Sequence, residues 1–142
     1  MNSLHPINLQ RRFFLFAAIF GATGVALGAL GAHFLKTKME QGLLTPENIQ
    51  TFETAVRYQV YHAFALLFVG LLYDKMPAKW LNRSGYLFIA GVFLFSGSLY
   101  LLSTRTLIGL DTWKWLGPIT PLGGLCFIMG WVGLFISFWH KN

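Results

Sequence analysis

His33, Arg57, Tyr58, Gln59, Tyr61 and His62 are the side chains of this sequence best equipped for chemistry. His33 lies near the end of one long apolar run, and the other five crowd the start of the next. If the two runs are antiparallel membrane helices, all six should share the outer third of a bilayer. Two imidazoles there could be axial ligands of a haem held among helices, with Arg57 beside a propionate. Alternatively, Arg57, Gln59 and His62 could recognise a lipid headgroup or a quinone carbonyl. A solute or proton path is a third reading, but it calls for acidic groups inside the spans, and there are none. Ionisable groups at membrane depth are costly enough to be read as functional by default. The plainer reading is that each imidazole bonds a neighbouring helix or reaches interfacial water. No nucleophile, base and orienting acid occur together, and there is no HExxH or phosphate-binding loop. The sequence therefore offers no catalytic residue and no metal-ligand set, and it points to a binding or accessory protein rather than an enzyme.

The elements that must position these groups are membrane spans. Residues 13–35 are uncharged apart from His33, and at about 1.5 Å per residue they reach roughly 34 Å, enough to cross a hydrocarbon core of about 30 Å. On a helix, Ala17, Gly21, Gly24, Gly28 and Gly31 fall on one stripe, widened by Ala18, Ala22, Ala26, Ala29 and Ala32. Phe16, Ile19, Phe20, Leu27, Leu30 and Phe34 collect opposite. In lipid, apolar burial does not drive helices together, so close backbone approach must, and small residues allow it. The smooth face should pack on other helices, and the bulky face should meet lipid.

After a polar loop, Thr45-Pro46-Glu47 reads as a helix start, with a hydroxyl cap, proline at the first position and an acid at the positive end of the dipole. That helix, 46–73, begins in water and turns apolar from about residue 56. A short basic loop, 74–83, leads to a third span, 84–104, in which Ser84, Gly91 and Ser98 recur every seven residues. The loop 105–119 mixes apolar residues with Asp111, Lys114 and Pro118 and suits the headgroup level, where tryptophan is favoured. Thr120-Pro121 should then open a fourth span, 120–139, with Gly123, Cys126, Gly130, Gly133 and Ser137 on one stripe. The expected fold is an all-α integral membrane protein, a single domain over 1–142, with four transmembrane helices in an antiparallel, left-handed bundle.

Composition agrees with this. A chain 55% hydrophobic and 11% charged is too apolar for an ordinary soluble domain. Its net charge of +6 comes without a nucleic-acid reading motif, so nucleic acid is not expected as a partner. Cys126 is the only cysteine, which excludes an internal disulfide and a thiolate metal cage. Arg11-Arg12 ahead of the first apolar run resembles a twin-arginine export signal, but the small-residue stripe continues past the cleavage-like Ala29-Leu30-Gly31, and a retained helix is expected. The basic residues favour both termini in the cytoplasm. The glycine stripes offer more smooth surface than a four-helix monomer must bury, so a homo-oligomer or larger membrane complex is a further expectation.

Four blocks resemble the signatures of one family. They are Gly28-Ala29-Leu30-Gly31-Ala32-His33; residues 52–63, FETAVRYQVYHA; residues 95–100, FSGSLY; and Pro121-Leu122-Gly123-Gly124 with Gly130-Trp131. Together they are similar to the domain-of-unknown-function 423 family, also called YgdD-like or transmembrane protein 256-like, and they run through all four spans in order. The resemblance implies a small multi-pass protein of the bacterial inner membrane with no established biochemical activity, and it supplies no catalytic residue. The loop 105–119 is the part without a match.

Overall fold

A computed structural model describes residues 9–76, 78–110 and 112–139. Four helical rods are long and apolar enough to cross a membrane: α1, Leu9–Glu40; α2, Pro46–Leu72; α3, Ala78–Thr104; and α4, Ile119–Trp139. Successive rods are antiparallel. α1 lies against α2 and, through Phe13 and Phe20, against α3, whereas α4 packs on the other side of α3. The two central helices, α2 and α3, therefore each touch both outer ones.

Three boundaries differ by more than one residue from the sequence reading, the first being the start of α1 at Leu9 instead of residue 13. α1 continues beyond residue 35 through Lys36–Glu40, and it stops only at Gly42, whose φ of 74° is the left-handed conformation a glycine cap supplies. Gly42 N–H reaches Met39 O at 2.9 Å, and Leu43 N–H reaches Lys38 O at 3.0 Å. α3 starts at Ala78 instead of residue 84, because its first turns are amphipathic: Leu81 is buried, while Arg83 lies over the Trp80 ring at 4.9 Å. The start of α2 is as the sequence predicts. Thr45 Oγ1 accepts from Asn48 N–H at 3.3 Å, and Asn48 Oδ1 accepts from Thr45 N–H at 2.9 Å. Thr120 does not play the same part for α4. It lies within the helix, and its hydroxyl shares a 2.7 Å hydrogen bond with that of Ser98 on α3.

Phenylalanine rings lie over glycines where helices cross. Phe14 covers Gly70, Phe52 covers Gly31, Phe13 covers Gly85, Phe127 covers Gly91 and Phe88 covers Gly130. A Cβ placed on Gly130 would come within 2.5 Å of the Phe88 ring, and one on Gly70 within 2.7 Å of Phe14. Gly24 receives Val60, and Gly133 receives the Ser84 hydroxyl. At Gly123 the contact is backbone to backbone, against Leu94 and Phe95. Each glycine removes just enough volume for a ring to settle onto the neighbouring helix, which is how dispersion contact is gained where no hydrophobic drive exists.

The face assignment of α1 needs correction. Phe20 is buried against Phe16 and Phe93, and Leu27 packs beside Phe52, although both were expected to meet lipid. Ala18, Ala22, Ala26, Ala29 and Ala32, expected in the seam, are exposed. Gly21 has no atom within 4 Å of where its Cβ would stand, so it is not a packing glycine. The reason is that α1 must satisfy two neighbours at once: it gives glycines to α2 and rings to α3, which turns the alanines outward.

α1 and α3 each contain one turn of wider π-helix, at Gly31–Leu35 and Val92–Ser96. In the second, the N–H of Gly97 bonds back to Val92 O, and the extra residue shifts the face that the later part of α3 presents.

Glycine substitutions should separate these roles. Gly123→Ala, with its methyl against a backbone that cannot move aside, should cost roughly 1–3 kcal/mol or more. Gly21→Ala should be neutral or stabilising by up to about 1 kcal/mol through helix propensity alone. Thermal unfolding of the detergent-solubilised protein, followed by circular dichroism, checks the order.

Candidate functional site

Gln59 is buried where three helices meet. Its Nε2 donates to Phe20 O and to Thr23 Oγ1 on α1, both at 2.8 Å, and its Oε1 accepts from Tyr100 Oη–H on α3 at 2.9 Å. Exchanging the amide oxygen and nitrogen would set two acceptors against each other at Phe20 O, so the pattern fixes the orientation. Thr23 in turn donates to Ile19 O at 2.7 Å. One side chain thus ties α1, α2 and α3 together in a medium without water.

His62 is also buried, three residues along α2 and about 60° around it from Gln59, on the flank that faces α4. Its Nδ1 lies 2.7 Å from Tyr58 O, and its Nε2 lies 3.3 Å from Trp131 Nε1 on α4. The indole can only donate and the carbonyl can only accept, so the imidazole is the neutral tautomer with its proton on Nδ1. Its face stacks on Phe127 with ring centroids 3.5 Å apart, and Phe88 closes another side at 5.4 Å. Both ring nitrogens are occupied by protein partners.

Antiparallel pairing of α1 and α2 sets depth. Phe14 meets Gly70, Gly24 meets Val60, Gly28 meets Val56 and Gly31 meets Phe52. This places His62 level with Ala22, near the middle of the uncharged stretch between Arg12 and Lys36, and not in the outer third of the bilayer. The sequence reading misplaced it because it let α2 enter the apolar layer at about residue 56, whereas the pairing sets Ile49 level with Leu35, so α2 enters about two turns earlier and carries His62 deeper. His33 lies higher on α1, some 16 Å from His62 along the axis at 1.5 Å per residue. It is exposed, in a shallow depression with Lys36, Thr37 and Glu40.

The six residues singled out in the sequence therefore divide among several faces. Gln59 enters the α1–α2–α3 junction, and His62 the α2–α3–α4 junction. Tyr58 and Tyr61 are exposed neighbours with ring centroids 6.1 Å apart. Arg57, also exposed, lines a furrow between α1 and α2.

That furrow has two stretches on one face. The deeper, of about 350 Å³, is walled by Ala18, Gly21 and Val25 of α1 and by Val60, Phe64 and Leu67 of α2, and Phe14 reaches its end. The outer stretch, of about 230 Å³, continues along Gly28, Gly31 and Ala32 and is bounded by Glu53, Val56 and Arg57. The missing side chain of Gly21 opens it.

The comparisons with known proteins agree with this architecture. A family described as a protein of unknown function, DUF423, matches residues 27–124. The chain belongs to the DUF423 family. Among its relatives, a UPF0382 membrane protein of Bacillus subtilis, YwdK, is 40% identical over 126 residues, 88% of this chain and 94% of its own. One from Staphylococcus aureus is 38% identical over 90% of this chain and 95% of its own. The UPF0382 inner membrane protein YgdD of Escherichia coli is 35% identical over 90% and 89%. No solved structure matches.

In this DUF423 protein the partners missed by sequence reasoning are Thr23, Tyr100, Phe127 and Trp131. Tyr100 and Trp131 lie inside the blocks that carried the family resemblance, and that was the available signal. Thr23 lies outside those blocks and carries no such signal. An interhelical hydrogen bond in a membrane is worth about 0.6 kcal/mol on average and up to about 1.7. Tyr100→Phe should therefore lower stability by about that average, while Gln59→Leu, which leaves the Tyr100 hydroxyl without its acceptor, should lower it by about 1–3 kcal/mol. Denaturant titration of the purified variants measures the difference.

Proposed function

We propose that this protein is a non-enzymatic membrane component that holds one phospholipid in the α1–α2 furrow, and that ethanolamine is the headgroup that fits it best. The observation that carries this reading is the vertical order of chemistry along one continuous face. An apolar slot opened by Gly21 lies deepest, Arg57 stands above it, and Glu53 stands one helical turn nearer the water. Phospholipids present the same order, with an acyl chain, then an anionic phosphate, then, in phosphatidylethanolamine, a terminal ammonium. Arginine suits the phosphate because its planar fork matches the phosphate oxygens and stays charged at depth. Its long stem lets the guanidinium rise toward the headgroup from a backbone position level with Leu27. From Val25 to Phe14 the apolar slot runs about 16 Å at 1.5 Å per residue, room for most of one acyl chain.

Orientation follows from charge. Arg11 and Arg12 lie at the same end of the bundle as Lys75, Lys79 and Arg83, which supports both termini on the cytoplasmic side and the furrow's charged end in the outer leaflet.

Native mass spectrometry of the protein in mixed phosphatidylethanolamine and phosphatidylglycerol tests the proposal. Phosphatidylethanolamine should be retained preferentially. Loss of a charge-assisted hydrogen bond in Arg57→Gln, worth about 1.5–3 kcal/mol, should weaken retention about tenfold or more. Glu53→Gln should erase the preference between headgroups, and Gly21→Leu should empty the slot. Equal retention of both lipids by the unaltered protein would overturn the headgroup assignment. A Soret band in the purified protein, lost in His33→Ala and His62→Ala, would favour a haem site instead. Reporter fusions at the N-terminus and at the α2–α3 connection should both read cytoplasmic.

A further inference from the structure

A second cleft, of about 300 Å³, opens to lipid on the other side of α1, between it and α3. Phe16, Ile19 and Phe20 form one wall, and Val92, Phe93 and Gly97 form the other. Its lining is almost wholly apolar, with one small polar patch at the floor, where Gln59, Thr23 and Tyr100 border it. The wall on α3 is built by the π-helical turn Val92–Ser96, a distortion that in other helices commonly marks a functional site.

Every donor on this floor is already committed. Both Gln59 N–H groups go to α1, to Phe20 O and Thr23 Oγ1, at 2.8 Å each. The Tyr100 proton goes to Gln59 Oε1 at 2.9 Å, and the Thr23 proton to Ile19 O at 2.7 Å. The N–H of Gly97 is held by Val92 O. What remains are lone pairs on Tyr100 Oη, Gln59 Oε1 and Thr23 Oγ1, since a hydroxyl or amide oxygen can accept more than one bond. The floor can receive hydrogen bonds freely and can give one only by breaking a bond it already makes.

We infer that this cleft binds an apolar ring carrying its own hydroxyl donor, a hydroquinone, and discriminates against the corresponding quinone. The aromatic and aliphatic walls exclude charged ligands, and the volume lies at the small end for a specific pocket, enough for one substituted ring. A hydroquinone brings hydroxyl protons to waiting acceptors. A quinone has only carbonyl oxygens to offer, which would face other acceptors across a dry floor and leave both sides unpaired. Discrimination of this kind rests on the mismatch as much as on the match. The cleft shares no wall residue with the phospholipid furrow, so the two readings stand or fall separately.

The test uses tetramethylhydroquinone and tetramethylbenzoquinone as probes on the full-length protein in nanodiscs, with binding measured by equilibrium dialysis under anaerobic conditions. The reduced probe should bind between about threefold and about twentyfold more tightly, the span expected from one interhelical-strength hydrogen bond in a membrane. Gly97→Val should abolish binding of both, because its side chain enters the cleft where a Cβ meets only Val92 O at 4.0 Å. Tyr100→Phe should narrow the preference while leaving the helical circular dichroism unchanged. Equal or tighter binding of the quinone, failure of the hydroquinone to bind the folded protein, or hydroquinone binding unaffected by Gly97→Val would each overturn the inference.

Discussion

The constraint on which this structure depends is that helices in lipid gain little by hiding apolar surface, so they must come close enough for atoms to touch. Rings over glycines meet that need. Phe13, Phe14, Phe52, Phe88 and Phe127 each lie over a glycine of a different helix, and the pairs connect α1 to α2, α1 to α3 and α3 to α4, but not α2 to α3. Those two are joined by side chains that act in common: Tyr100 bonding Gln59, and Phe88 beside His62. Volume is removed on one helix where it is supplied on the next, so an interface depends on both residue types together.

Two polar junctions are added to this frame, side by side on the buried face of α2. Gln59 faces α1 and α3, and His62 faces α3 and α4. Both lie at membrane depth with their hydrogen-bonding groups directed to protein, as the absence of water demands. They differ in what is left over. The imidazole has both nitrogens engaged and rings packed against its face, so it is a joint. The Gln59 junction is lined by a cleft and retains free acceptor lone pairs, so it can also meet a ligand.

The spans themselves were legible because an uncharged run of membrane length has few alternatives, and Thr45-Pro46 announces a helix start through local bonds alone. The site was less legible. Residues 57–62 run right around α2, so proximity in sequence hid that Arg57 faces away from the buried side shared by Gln59 and His62. Their partners, Thr23, Tyr100 and Trp131, come from other helices at positions that periodicity reads as ordinary. Leu27 and Phe20 were misassigned for a related reason: a stripe of small residues shows where a helix is smooth without showing how many neighbours it must accommodate.

By itself the sequence determined the medium, the number of crossings and the residues small enough for close approach, since these depend on composition and spacing along one chain. Only the tertiary structure decided depth and facing. Those depend on how far α1 extends past the apolar layer, on the extra residue in each π-helical turn and on which ring settles over which glycine. All three are relations between helices, and a shift of one residue in any of them rotates a side chain by about 100°. That rotation separates an imidazole sealed in a joint from a glutamine at the floor of an open cleft.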